Sequence, residues 1–105
     1  MAQAITLLSA ATGTGAGTPD NVTRDHAVRS FQAVGTTSSG GGAASIDIEV
    51  SNDGANWLVA GSISLTLSTT ASTDGFVMDA AWRLVRANVK SISGTGASVT
   101  VTMGA

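Results

Sequence analysis

The chain of 105 residues has no cysteine, no tyrosine, one histidine and one proline, and only 11% of its residues are charged. Without cysteine there is neither a disulfide staple nor a thiolate metal site. Five Lys and Arg against seven Asp and Glu give a net charge of −2 and no phosphate-neutralising patch, so nucleic acid is not expected as a partner. No apolar run approaches the ~20 residues that span a bilayer, so no membrane association is expected. Met1-Ala2-Gln3-Ala4 ahead of Ile5-Thr6-Leu7-Leu8 has neither the basic start nor the long apolar run of a secretory leader, and cytoplasmic synthesis and assembly are expected. A chain of this mass buries only ~64% of its unfolded surface, so the core is small and a partner subunit would help to stabilise it. With 43% of residues hydrophobic and so few charged, part of the surface is expected to be covered.

What the chain does contain is alternation. In Ser45 to Val50 the residues Ile46, Ile48 and Val50 fall on one face of a pleat and Asp47 and Glu49 on the other, which describes a half-buried antiparallel strand. Asn52-Asp53-Gly54 then favours a reversal that returns at Trp57. Further strands are read at Ile5 to Leu8, Val28 to Val34, Ser62 to Ser68, Phe76 to Met78, Trp82 to Val89 and Ala97 to Met103, the last two joined as a hairpin by Gly94-Thr95-Gly96. In Trp82 to Val89, Trp82 and Leu84 share a face with Arg86 and Asn88, a mixed pattern that a bulge or burial on both sides would explain. One helical turn is read at Thr18 to Asp25, with Thr18 as its cap and Pro19 in its first position. The expectation is an all-β fold: a single compact antiparallel β-sandwich, jelly-roll-like, over 1–105, with about seven or eight short strands. A flexible N-terminal segment (1–18) and a Gly/Ser loop (35–44) complete it.

The candidate chemistry is sparse. His26 has Asp25 and Asp20 nearby, but no Gly-x-Ser-x-Gly elbow designates a nucleophile, so it reads as a surface histidine in a polar loop. Gly13, Gly15 and Gly17 lack the lysine and the following helix of a phosphate-cradling loop and read as a mobile loop. Asp47, Glu49 and Asp53 would offer hard oxygen ligands to calcium, yet without the spacing of a calcium loop they read as a solvated strand face and a turn aspartate. Arg83 and Arg86 point to opposite faces of a strand, one expected against Asp79 or Asp74 at an edge and the other toward a neighbouring subunit. Asn21-Val22-Thr23 matches a glycosylation acceptor without a secretory context. Trp57 and Trp82 read as core residues, with an exposed carbohydrate platform as the sharper alternative. No catalytic, cofactor-binding or metal residue is assigned.

The order of an alternating strand, Ser51-Asn52-Asp53-Gly54-Ala55-Asn56-Trp57, the Thr/Ser-rich Ser62 to Ser68, Trp82-Arg83-Leu84-Val85-Arg86-Ala87-Asn88-Val89 and a Gly-flanked last strand resembles small virion proteins of tailed bacteriophages. These include capsid decoration (cement) proteins and modules of head or tail fibres. The S-x-D-G-x-x-W element is shared with discoidin-like carbohydrate-binding domains, which are usually longer. The resemblance implies a non-enzymatic structural role on the capsid exterior, with major capsid protein subunits as partners and a homo-oligomer, a trimer by preference. The alternative it leaves open is a fibre or tail module, or a carbohydrate-binding receptor-recognition domain. Met1 to Thr18 and the loop around Gly40 are the expected capsid-facing or intersubunit elements.

Overall fold

A computed structural model describes residues 4–21, 28–79 and 82–104. These residues form nine β-strands: β1 (Ala4–Ala11), β2 (Gly15–Ala16), β3 (Asp20–Asn21), β4 (Val28–Thr36), β5 (Ser39–Ser51), β6 (Leu58–Leu67), β7 (Ser72–Asp79), β8 (Leu84–Thr95) and β9 (Ser98–Gly104). The first sheet has the order β1-β9-β4-β7, and the second runs β2-β8-β5-β6 with β3 also on β8. Because β2 and β3 pair antiparallel with successive stretches of β8, they are two halves of one edge strand. Gly17, Thr18 and Pro19 separate the halves, and the missing N–H of proline is tolerated at a sheet edge.

The antiparallel pairs β1 with β9, β2 and β3 with β8, β4 with β7, and β5 with β6 nest around the β5–β6 turn. This is one long hairpin rolled into two packed sheets, the connectivity of a jelly roll. The expected sandwich is therefore the observed one.

Alternation decides what lies between the sheets. Ile46, Ile48 and Val50 of β5 are buried together with Ile63, Leu65 and Leu67 of β6, and with Val85, Ala87 and Val89 of β8. The first sheet answers with Phe31, Ala33, Val99, Val101 and Met103. Phe31 meets Phe76 of β7 with ring centroids 5.3 Å apart. A bulge does occur in β8, but at Lys90, where Ser45 pairs with Ser91 and Ile46 with Val89. The extra residue changes the parity of the strand, so Val85, Ala87 and Val89 point inward before it and Ile92, opposite Ala44, after it. Trp82 lies before the strand, which removes the conflict that its face posed in the sequence.

The Gly/Ser stretch 35–44 is mostly strand: β4 runs to Thr36 and β5 starts at Ser39. Gly42 marks close backbone approach, since a Cβ there would sit 2.1 Å from the Ser93 carbonyl oxygen. Thr37 N–H donates to the Ser68 carbonyl at 2.9 Å, and Ser38 N–H to that of Thr95 at 2.9 Å, so this corner is stitched to two others. Gly94-Thr95-Gly96 is likewise a corner between sheets, because β8 and β9 lie in different ones. In the N-terminal segment, Gly15–Ala16 pairs with β8, and Gly17 donates to the Ala87 carbonyl at 2.8 Å. The helical turn read at 18–25 is not formed at Thr18 and Pro19, which lie between β2 and β3, and is strand at Asp20–Asn21; residues 22–25 lie outside the described residues.

Candidate functional site: the outer face of the second sheet

The carboxylates that the sequence placed outward on β5 meet polar residues of β8, because these strands are neighbours. Glu49 pairs in register with Arg86, and Asp47 with Asn88. Arg86 Nε donates to Glu49 Oε1 at 2.7 Å and Asn88 Nδ2 to Glu49 Oε2 at 3.1 Å. At the bulge Lys90 Nζ lies 3.9 Å from Asp47 Oδ2 and 4.0 Å from Glu49 Oε2. From β6, the Ser62 hydroxyl donates to Asp47 Oδ1 at 2.7 Å. The Glu49 side chain is only 7% exposed, whereas that of Lys90 is 51% exposed, so the first pair is structural and the second contributes little. Burial pushes the Glu49 pKa up. The hydrogen bonds from Asn88 and Arg86, with the charges of Arg86 and Lys90, outweigh it and hold the carboxyl below its ordinary value.

Above this ladder the Arg86 guanidinium lies 4.1 Å from the centroid of the Trp57 ring, a cation–π stack that seats the tryptophan on the outside of the sheet. Trp57 is half-buried there and is not a core residue. Trp82, by contrast, packs against the core as expected.

The turn that carries Trp57 is built from its own side chains. Ser51 Oγ donates to Asp53 Oδ1 at 2.9 Å and accepts from the backbone N–H of Asp53 and Gly54. Asp53 Oδ1 also accepts from the N–H of Ala55 and Asn56, each at 2.9 Å, and Oδ2 accepts from Asn56 Nδ2. Donors from Asn56, Ala55 and Ser51 hold the Asp53 pKa far below the usual carboxylate range. Gly54 takes φ +79°, the left-handed conformation that the Asn-Asp-Gly sequence called for. Arg83 closes the site from β8's approach, its N–H donating to Asn52 Oδ1 at 3.1 Å and its guanidinium to the Asn52 carbonyl at 3.2 Å.

Both arginines thus bind the β5 strand and its turn, rather than the Asp74 expected of one of them. Asp47, Glu49 and Asp53 do not converge: two are paired on the strand face and the third is saturated in the turn. Among the described residues no three of His, Cys, Asp and Glu gather as a metal site. Glu49 and Asp53, held at depressed pKa and already filled with donors, are weak proton acceptors, and their bonds lock β5, β8 and the turn together. His26, Asp25 and the rest of the Asn21-Val22-Thr23 acceptor after Asn21 lie outside the described residues. The sequence reading also passed over Arg29 of β4, which is only 2% exposed.

No protein-family profile matches the chain, nor does any curated protein. Two solved structures share its fold. The SPBc2 prophage-derived protein YomS is 16% identical with a TM-score of 0.64, the match covering 99% of this chain and 92% of that one. The PBSX exported protein XepA is 11% identical, also with a TM-score of 0.64, over 97% of this chain. This chain spans 36% of the length of XepA.

Proposed function

We propose that this chain is a non-enzymatic structural protein of a tailed-bacteriophage particle, a decoration protein that binds several major capsid protein subunits on the outside of the head. The observation that carries the reading is the full-length jelly-roll likeness to two phage-derived proteins. It is supported by the shape of the molecule, a slab of 42 × 31 × 17 Å. A broad face of that size exceeds the ~800 Å² per partner of a standard interface, so one copy can bridge neighbouring subunits and gain from multivalency. The β1 edge and the corner around Gly40 are the surfaces we assign to the shell. That this chain spans 36% of the length of XepA supports a second reading, in which the fold is a module of a longer protein, and for that protein we propose a fibre or tail component.

The test is co-sedimentation of the purified protein with DNA-free heads of its phage. Deleting β1 is a poor probe, because Leu7 is buried and the strand pairs with β9. Thr6→Lys and Ser9→Lys, at exposed positions of β1, are expected to weaken binding to heads while the fold is retained. Saturable binding to heads is the expected result. Absence of binding to heads, with binding to tails or fibres instead, overturns the decoration role in favour of the module.

A further inference from the structure

The four sheet edges of the sandwich are not equivalent. The β1 edge carries two register shifts and a left-handed Ala10 at φ 49°. The opposite edge of the second sheet is broken into β2 and β3, and β6 is bulged at Ala60, between the pairs of Ile48 with Gly61 and Glu49 with Val59. Such breaks protect edges from pairing with other chains. Only β7 is unbroken, its eight residues in continuous register with β4 from Ser72 to Asp79. Among the described residues, the large hydrophobics that stand exposed are Leu58 (57%), Val59 (55%) and Val77 (67%). All three lie on β6 and β7, the two edge strands that bound one flank of the sandwich. Between these strands is a groove of about 280 Å³, lined by Ala60, Gly61, Ile63, Asp74, Gly75 and Phe76.

We infer that this flank is the self-association surface of the protein, a second copy pairing its β7 antiparallel to the first across a two-fold axis. Two features of the flank choose this occupant. The first is area. Eight residues at ~3.4 Å per residue make the edge about 27 Å long, and across the 17 Å thickness of the slab the flat projection is roughly 460 Å² per copy. With side-chain relief added, flank against flank reaches the ~1,200 Å² total at which stable interfaces begin. A single peptide strand added to β7 covers one edge of the two and falls short. The second is register. Pairing centred on Phe76 sets Gly75 beside Val77 of the partner copy, and position 74 against position 78. A two-fold axis pairs the strand with its copy about a single residue, and centring it on Asp74 instead would oppose the Asp74 carboxylates of the two copies, a like-charge pair.

Light scattering across a concentration series, with hydrogen exchange of the same samples, tests the inference. The wild type is expected to rise with concentration to twice the monomer mass as amides of Ser72–Asp79 gain protection. Val77→Lys is expected to weaken this self-association at least tenfold, and Ser9→Lys to leave it unchanged. A mass that stays monomeric into the millimolar range, a trimer, or an oligomer formed without new protection of β7 overturns the inference. Should Val77→Lys fail to fold, the exchange of the wild type decides alone. The inference stands apart from the capsid reading: a two-fold dimer that ignores heads refutes only the decoration role, and a head-binding monomer refutes only the dimer.

Discussion

Replacing Glu49 with glutamine tests the ladder on the second sheet. The side chain is 7% exposed and accepts from Arg86 at 2.7 Å and from Asn88 at 3.1 Å. Hydrogen bonds that involve a charged group contribute about 1.5–3 kcal/mol each. Glutamine keeps one acceptor oxygen, so one such bond is lost, and the Arg86 guanidinium, 23% exposed, loses its counter-charge but keeps water and the Trp57 ring. The expected cost at neutral pH is about 2 kcal/mol, well short of the ~3–5 kcal/mol for stranding a fully buried ion. For a chain of 105 residues an unfolding entropy of ~2.1 cal/mol/K per residue converts this to a Tm lowered by about 9 °C. The Glu49 pKa is lower in the folded than in the unfolded chain, so its ionisation stabilises the fold fully above the ordinary carboxylate range. That contribution is lost as pH falls through the range toward the folded value. The gap between wild type and Glu49→Gln, followed by circular dichroism at one low protein concentration, is therefore expected to narrow as pH falls from neutral toward 3. A gap under ~2 °C at neutral pH, or one of constant size down to pH 3, would refute the assignment of Glu49 as a stabilising anion.

Gly35→Ala should destabilise by about 1–2 kcal/mol through overpacking, because the new Cβ would lie 2.6 Å from Leu67 Cδ2 and 2.9 Å from Val99 Cγ1. Chemical denaturation checks this against Gly13→Ala, which meets nothing within 4 Å and is expected to be neutral or slightly stabilising. Asp53→Asn is expected to accelerate amide exchange at Ala55 and Asn56 while barely moving the global Tm, since the bonds it breaks lie within one exposed turn. The Asp53 pKa is depressed, so in the wild type the turn should keep its amide protection below the ordinary carboxylate range; loss of protection near pH 4 would contradict that.

The parts of the fold that were legible are those where side chains alternate. Ile46, Ile48 and Val50 declare their face without help from any other strand, as do Ile63, Leu65 and Leu67. Gly40, Gly41 and Gly42 declare nothing, because a residue without a side chain fits a loop and a strand equally well; the reason for Gly42 is the Ser93 carbonyl pressed against β5, and that for Gly40 is its φ of +69°. A bulge at Lys90 was illegible for a related reason: only the partner strand shows that one residue is extra. The candidate site was legible as a face and not as a set of pairs. Glu49 was set outward and Arg86 stood on a face of mixed character, and their meeting depends on β5 and β8 being neighbours, a fact of topology that periodicity does not contain. Trp57 misled because a tryptophan in a small domain is usually needed inside, and only the guanidinium of Arg86 explains its place outside.

The distribution of charge bears on how such a protein would meet its partners. Asp47, Glu49, Arg86 and Lys90 spend their charges on one another across the outer face of the second sheet, and Asp53 spends its own within the turn. The flank between β6 and β7 offers instead a continuous backbone edge, exposed Leu58, Val59 and Val77, and one described carboxylate at Asp74. Association there would be driven by apolar burial and strand pairing rather than by ionic steering. The same choice that leaves the chain poor in charge, a surface risk for an isolated monomer, becomes consistent once that flank is covered by a second copy. It also leaves the β1 edge, at the opposite end of the first sheet, free for a different partner. Its bulges and its left-handed Ala10 disfavour strand addition, so contact there would be made through the exposed Thr6 and Ser9 side chains. On these two proposals, one fold would separate self-association from attachment by the quality of its edges.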